Sequence, residues 1–365
     1  MIVESDARKP TFAIPESGLE VRIHARQDLN DVIPRLARFA AATKLFWLSR
    51  HPDWLRVLRY GLRHEPYLLE ATADGVTRGI LPLALVHSTL FGRFLVSLPY
   101  LNVGGIIATD AEAARRLIDA GVGLADELRV RYLELRNETH IDHPALTAKQ
   151  THKVHLRLSL PSFPGPLWTE LPAKVRNQVR KGEKNGLTVA WGRRELLPEF
   201  YAVFSENMRD LGTPVYGLGL FAQVLRSFPD RAELCVVRQG DAPLAAALLL
   251  HGHGVTEVPS ASSLRAFNNT NANMLMYWHL LERAIDRRQD EFDFGRSTLG
   301  SGPCEFKEQW GAKPTPSVWQ YYVRRGPVGD MRADNPKYRR MVRIWQRLPL
   351  RLTRLLGPRI VRGIP

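Results

Sequence analysis

Residues 19–23 (Leu-Glu-Val-Arg-Ile) alternate apolar and charged positions and read as a short, half-buried strand. Asp28 then opens a helical stretch with apolar residues at 29, 32, 33, 36, 39 and 40, the spacing of one buried helix face. Pro52 suits the first turn of a second helix over 52–62. Apolar runs at 67–69 and 79–86 flank an Asp74-Gly75 turn, a strand–turn–strand unit. A strand over 93–98 leads into the loop Asn102-Val103-Gly104-Gly105, and a helix over 111–128 and a strand over 132–135 follow. The same order returns downstream. Strands at 232–238 and 244–250 surround the turn Gln239-Gly240-Asp241; a strand at 255–261, a polar loop at 267–271, a helix at 272–288 and a strand at 291–294 complete it. Gly75 lies 57 residues before Tyr132, and Gly240 lies 52 before Phe292. The repeated order predicts an internal duplication and a mixed α/β fold, α+β with mixed sheets, in two similar domains.

Residues 161–172 hold four prolines and a glycine and read as a linker. They divide the chain into a first domain over 1–160, a second over 173–325 and a tail over 326–365. The second domain opens on a basic helix over 173–185 carrying Lys174, Arg176, Arg180, Lys181 and Lys184, stopped by Gly186. With 44% hydrophobic and 24% charged residues, the chain is not disordered as a whole. Its apolar runs fall far short of the roughly 20 residues of a spanning helix, and no apolar segment follows the mixed-charge start at 1–10. Two cysteines, Cys235 and Cys304, make neither a disulfide framework nor a zinc spacing, so a reducing cytoplasm is expected.

Charge changes the picture most at the C-terminus. The formal net charge is +14, yet residues 324–365 contain twelve basic and two acidic residues, a net of +10. The body is close to balanced, and an anionic partner is expected for the tail. Arg340, Arg343, Arg347, Arg351 and Arg354 recur at helical spacing, with Met341, Ile344, Leu348, Leu352 and Leu355 one position later. These form adjoining basic and apolar stripes, kinked at Pro349. The pattern fits a helix lying on an anionic membrane surface, and equally one packed on the second domain with its arginines in water.

Three stretches carry a family resemblance: Lys174-Val175-Arg176-Asn177-Gln178-Val179-Arg180-Lys181 through Gly186-Leu187; Gly212-Thr213-Pro214-Val215-Tyr216; and Phe292-Asp293-Phe294-Gly295-Arg296-Ser297 with Phe306-Lys307-Glu308-Gln309-Trp310-Gly311. Over residues 19–325 the chain resembles the FemAB-related proteins associated with exosortase/PEP-CTERM systems, which carry a BioF-two-like, GNAT-type acyltransferase domain. Asn335-Pro336 and Leu348-Pro349 extend the likeness into the tail. The resemblance implies tandem GNAT-like domains, acyl or aminoacyl transfer, and a role in cell-envelope or exopolysaccharide biogenesis. It implies acyl-CoA or aminoacyl-tRNA as donor, no tightly bound cofactor, and an anionic small-molecule or lipid-linked acceptor.

Candidate site residues concentrate in the second copy. Asp293, at a strand end before Gly295, is a candidate general base, or else the partner of Arg296 in a structural ion pair. Arg296, Ser297 and Lys307 border a Ser/Gly-rich loop that could hold a phosphate or carboxylate. Lys174, Arg176 and Arg180 offer a cationic helix face for phosphates of an acceptor or of tRNA, or a solvated face. Tyr216 is a candidate proton donor, or a packing tyrosine. Asn268, Asn269 and Asn271 precede a helix start where the GNAT resemblance places the donor's pyrophosphate. The glycines of the usual Arg-x-x-Gly-x-Gly pattern are missing after Arg265, and helix capping explains the asparagines as well. His251, His253 and Glu257 share a strand region without a convincing further metal ligand, so no metal is expected. A non-catalytic adaptor with the same fold is the alternative to an enzyme.

Overall fold

The computed structural model describes residues 18–364 except 27, 45, 89–90 and 329–337. Arg332, Lys337 and the Asn335-Pro336 pair lie outside the described residues. The first half runs β1 (Leu19–Ala25), α1 (Asp28–Ala41), α2 (Trp54–Leu62), β2 (Glu65–Ala73), β3 (Val76–Ser88), β4 (Gly92–Val96), β5 (Ile107–Ala108), α3 (Ala111–Glu127), β6 (Tyr132–Asn137), β7 (Ala148–Gln150) and β8 (Lys153–Ser159). The second runs α4 (Pro164–Glu170), α5 (Ala173–Lys184), β9 (Leu187–Gly192), α6 (Leu197–Asp210), α7 (Leu218–Ser227), β10 (Ala232–Gln239), β11 (Ala242–Gly252), β12 (Val255–Ser263), α8 (Ala272–Asp286), β13 (Glu291–Thr298), α9 (Gly302–Glu308), β14 (Lys313–Pro316) and β15 (Val318–Val323). Helices α10 (Arg339–Arg347) and α11 (Leu350–Val361) form the tail.

The strands build two mixed sheets with matching order: β1-β2-β3-β4-β6-β15-β7, with β5 on β3, and β9-β10-β11-β12-β13-β8-β14. The match requires an exchange. Strand β15 pairs antiparallel with β6 in the first sheet, while β8 pairs antiparallel with β13 in the second. The halves still follow one another along the chain near residue 160, but each sheet takes its penultimate strand from the other half. The segment 161–172 contains α4, whose Leu167 is buried and whose Trp168 packs on Trp278 of α8 at 4.6 Å between centroids.

One apolar cluster fuses the halves. Leu36 of α1 and Trp54 and Leu58 of α2 share it with Phe200, Phe204, Phe221 and Val224 of α6 and α7. Each such side chain contributes about 1.5–3 kcal/mol when fully buried, so the two sheets are held as one body. The tail breaks at Leu348-Pro349, where proline cannot continue the helix. Helix α11 packs on the body through Thr353, Gly357 and Val361, a buried i, i+4, i+8 row. Gly357 is required there. A Cβ at that position would lie 2.8 Å from the Val215 backbone nitrogen.

Candidate active site

Among the described residues each sheet has one parallel pair of neighbours, and the two strands part after a few residues. Strands β4 and β6 pair at Leu95↔Leu133 and Val96↔Glu134. Strands β12 and β13 pair from Val255↔Glu291 to Glu257↔Asp293. Beyond the last pair the strands splay, and a fork opens with a carboxylate at its base.

The first fork is filled by its own chain. Ser97 N donates to Glu134 O, Gly104 N and Gly105 N donate to Arg136 O, and Arg136 Nη1 donates to Leu101 O at 2.7 Å. Gly105 makes this plug possible, because a Cβ there would fall 1.8 Å from Asn137 Oδ1. The Gly-rich loop flagged in the sequence therefore closes the first fork.

The second fork stays open. It forms a cavity of about 420 Å³, mouth included, lined by Ser49, Tyr100, Leu101, Asn102, Glu257, Asp293 and Gly295 among others. Ser49 and residues 100–102 come from the first half, so both halves wall the pocket. A second, apolar cavity of about 530 Å³, mouth included, adjoins it across Tyr100, Leu101 and Pro259, and Trp54, Phe204, Tyr216 and Phe221 line it.

Asp293 is 3% exposed. His155 Nδ1 and Arg157 Nε each donate to its Oδ2 at 3.2 Å, and Gly295 N donates to Oδ1 at 2.6 Å. Burial favours its neutral form, but these donors outweigh burial and hold the carboxyl below its usual range. The lowered pKa makes Asp293 a weaker proton acceptor than an ordinary carboxylate. Its ion-pair partner is Arg157; Arg296 instead lies over the Trp319 ring at 3.3 Å. Arg157 is itself sandwiched by Glu138 and by the Trp47 ring, 3.7 Å away.

Glu257, directly across from Asp293, has the opposite character. Its side chain is partly buried and accepts a 2.9 Å hydrogen bond from Ser49 N. Burial raises its pKa, the Ser49 donors pull it back, and the neighbouring Asp293 charge raises it again, leaving it at about 7. Two carboxylates on adjacent strands are thus driven apart, one fixed as an anion and one titrating near neutrality. Sequence reading weighed Glu257 only as an additional metal ligand. The available signal was its being the one acidic residue of its strand.

The remaining candidates are placed as follows. Lys307 Nζ donates to Gly295 O at 3.0 Å and Arg296 O at 3.4 Å, fixing the bulge beside Asp293. Burial brings its pKa down to about 8, opposed by the Asp293 charge. Ser297 is buried in the sheet, opposite Val154. Tyr216 lines the apolar cavity, edge-on to Tyr100, and burial pushes its phenol up to about 12, so it stays protonated. Lys174 and Arg180 are exposed on α5, and Arg176 donates to Thr169 O at 2.7 Å, tying α5 to α4; none of the three lines either cavity. His251 is buried between Thr256 and Glu233, and among the described residues no cluster of three metal-ligating side chains occurs. Cys304 is buried beside Glu308, and burial raises its thiol pKa, the wrong direction for a nucleophile.

Residues 172–308 match the family model described as an acetyltransferase (GNAT) domain. The second half is thus similar to a GNAT domain. Among solved structures, the chain resembles FemX with a TM-score of 0.62 at 14% identity, covering 80% of this chain and 96% of that one. It also resembles a tandem GNAT protein from the clavulanic acid biosynthesis pathway, with TM-score 0.53, 13% identity and coverages of 84% and 99%. The C-terminal domain of a putative lysylphosphatidylglycerol synthetase from Agrobacterium fabrum gives 0.52 at 12% identity, with coverages of 82% and 93%. No curated protein matches the sequence. At these identities the likeness is one of fold: tandem GNAT-like halves with a helical tail.

The GNAT likeness allows a test of the donor loop. Residues 265–270 form a 3-10 turn with Asn268 and Asn269 exposed, and Asn271 adopts a left-handed conformation at φ 60°. The loop bonds to itself: Phe267 N donates to Leu264 O, Asn271 N to Asn268 O, and Ala272 N to Thr270 Oγ1. Without glycines it offers no open backbone cradle, so these residues do not fit a pyrophosphate in the manner the resemblance implies.

Proposed function

We propose that the chain is an acyl- or aminoacyltransferase acting on an amine or hydroxyl of a cell-envelope or exopolysaccharide precursor, with Glu257 as general base. The observation that carries this reading is the open second fork, where a carboxylate titrating near 7 faces a cavity walled by both halves. As the acceptor nitrogen or oxygen attacks the donor carbonyl, Glu257 takes its proton. The new bond to the acyl carbon forms, the donor's bond to that carbon breaks, and the leaving group departs with the proton that Glu257 had taken. Asp293 keeps Glu257 basic, Lys307 fixes the bulge that shapes the fork, and Asn102, which lines the cavity, would polarise the carbonyl with its amide. Tyr216 and the apolar cavity would receive the unreactive part of donor or acceptor. The donor is acyl-CoA or aminoacyl-tRNA; Lys174, Arg176 and Arg180 would meet its phosphates outside the pocket. The exosortase-linked setting and a peripheral position at the cytoplasmic membrane belong to the same reading.

Purified protein offered acyl-CoA and charged tRNA in parallel, with nucleotide-linked and lipid-linked acceptors, tests this by mass spectrometry. An acylated product is expected, reduced at least ~100-fold by Glu257→Gln. Product formed equally well by that variant would overturn the reading. The closed donor loop favours a second reading, a non-catalytic adaptor, which predicts that Glu257→Gln leaves cellular function intact.

A further inference from the structure

The tail presents two different faces. Thr353, Gly357 and Val361 of α11 are buried against the body, and Arg354 Nε donates to Ser205 Oγ at 2.8 Å. Near the C-terminal end, the Tyr100 hydroxyl donates to Arg362 O at 2.8 Å. The tail is therefore anchored to the rim of the apolar cavity. Its other face carries Met341 and Ile344 on α10 and Leu352, Leu355, Leu356 and Ile360 on α11, all exposed, with Met341 60% and Leu355 61% accessible. Eight arginines and no acidic residue lie between 338 and 364. Among the described residues, none of those arginines pairs with a carboxylate.

We infer that this face of α10 and α11 docks on an anionic lipid bilayer, the apolar side chains entering the headgroup–acyl boundary while the arginines meet lipid phosphates. Arg340, Arg343 and Arg347 fall together on one side of α10, beside Met341 and Ile344. A bilayer interface supplies both required environments, hydrocarbon for one stripe and negative charge for the other. Nucleic acid would satisfy the arginines but leave six large apolar side chains without a partner. A second copy of the chain would cover the apolar stripe but oppose one arginine row to another. No helix among the described residues is long and apolar enough to cross a membrane, so contact is along the surface. This docking deepens the peripheral membrane position of the proposed function by assigning the face that makes it; vesicle binding and acyl transfer are read out separately, so either can fail without the other.

Full-length protein is sedimented with phosphatidylcholine vesicles that contain or lack phosphatidylglycerol. Binding is expected to be at least about tenfold tighter to the anionic vesicles. The double variant Ile344→Ser, Leu355→Ser should lose at least about tenfold of it, and Arg343→Gln with Arg347→Gln a similar amount. Both pairs are exposed, and unchanged thermal unfolding keeps folding out of the comparison. Vesicle binding unaffected by the serine pair would overturn the proposal, as would competition by bulk tRNA that leaves only charge-driven binding. So would self-association of the full chain that the serine pair abolishes while vesicle binding stays absent.

Discussion

Glu257→Gln should stabilise the protein at neutral pH while impairing any transfer reaction. The carboxyl is carried from an ordinary 4.5 to about 7 in the folded chain. That corresponds to about 3 kcal/mol against the ionised form at high pH, an upper figure because the side chain keeps some contact with water. The direction follows from proton binding. Between these pKa values the native protein holds a proton that the unfolded chain has released, so stability falls as pH rises through the window. Above pH 7 the full cost is present. Glutamine keeps an acceptor for Ser49 N and never ionises, so the variant lacks this fall. Urea unfolding of both proteins at about pH 5 and pH 8 measures it: the variant should gain up to about 3 kcal/mol on the wild type between the two conditions. An unchanged difference between the proteins at the two pH values would show that Glu257 is not held near neutrality, and the general-base assignment would go with it.

Asp293→Asn should do the reverse, destabilising the protein by about 1–3 kcal/mol, because the buried carboxylate that accepts from His155, Arg157 and Gly295 N is lost while Arg157 keeps Glu138 and Glu291; thermal unfolding reports it. Because the Asp293 carboxyl is held below its usual range, its contribution is present at neutral pH and should disappear as acid protonates it in the folded chain. Lys307 is brought down from 10.5 to about 8, so the native chain sheds its proton first and stability should rise between those values. Lys307→Met should remove that rise in an alkaline unfolding series. Gly357→Leu places side-chain atoms against the Val215 backbone and should release α11. Hydrogen exchange in 350–364 should accelerate by at least about tenfold with β13 unchanged.

Much of the fold was legible because alternation and helical spacing are local. The strands around Gly75 and Gly240, the helices before β6 and β13, and the repeat relating them all sit close to their predicted positions. The exchange of β8 and β15 was not legible. Both strands are short, and which sheet they join depends on pairing partners more than a hundred residues away. The site divides in the same way. Sequence placed Asp293 at a strand end before Gly295, because Phe292-Asp293-Phe294 alternates, and it placed Lys307 beside the loop that follows. It could not reveal that Arg157 and His155 donate to Asp293, since they arrive on the exchanged strand. Residues 46–51 carried no pattern at all, yet Trp47 covers Arg157 and Ser49 N binds Glu257. Their roles arise only from packing one half on the other. The tail's two stripes were legible, whereas the third, protein-facing row of Thr353, Gly357 and Val361 was hidden by its small residues.

The most direct test is a titration of the Glu257 carboxyl carbon by NMR in protein labelled at glutamate side chains, the resonance assigned by its loss in Glu257→Gln. The account predicts a midpoint near 7. A midpoint in the ordinary glutamate range, at about 4–5, would contradict it.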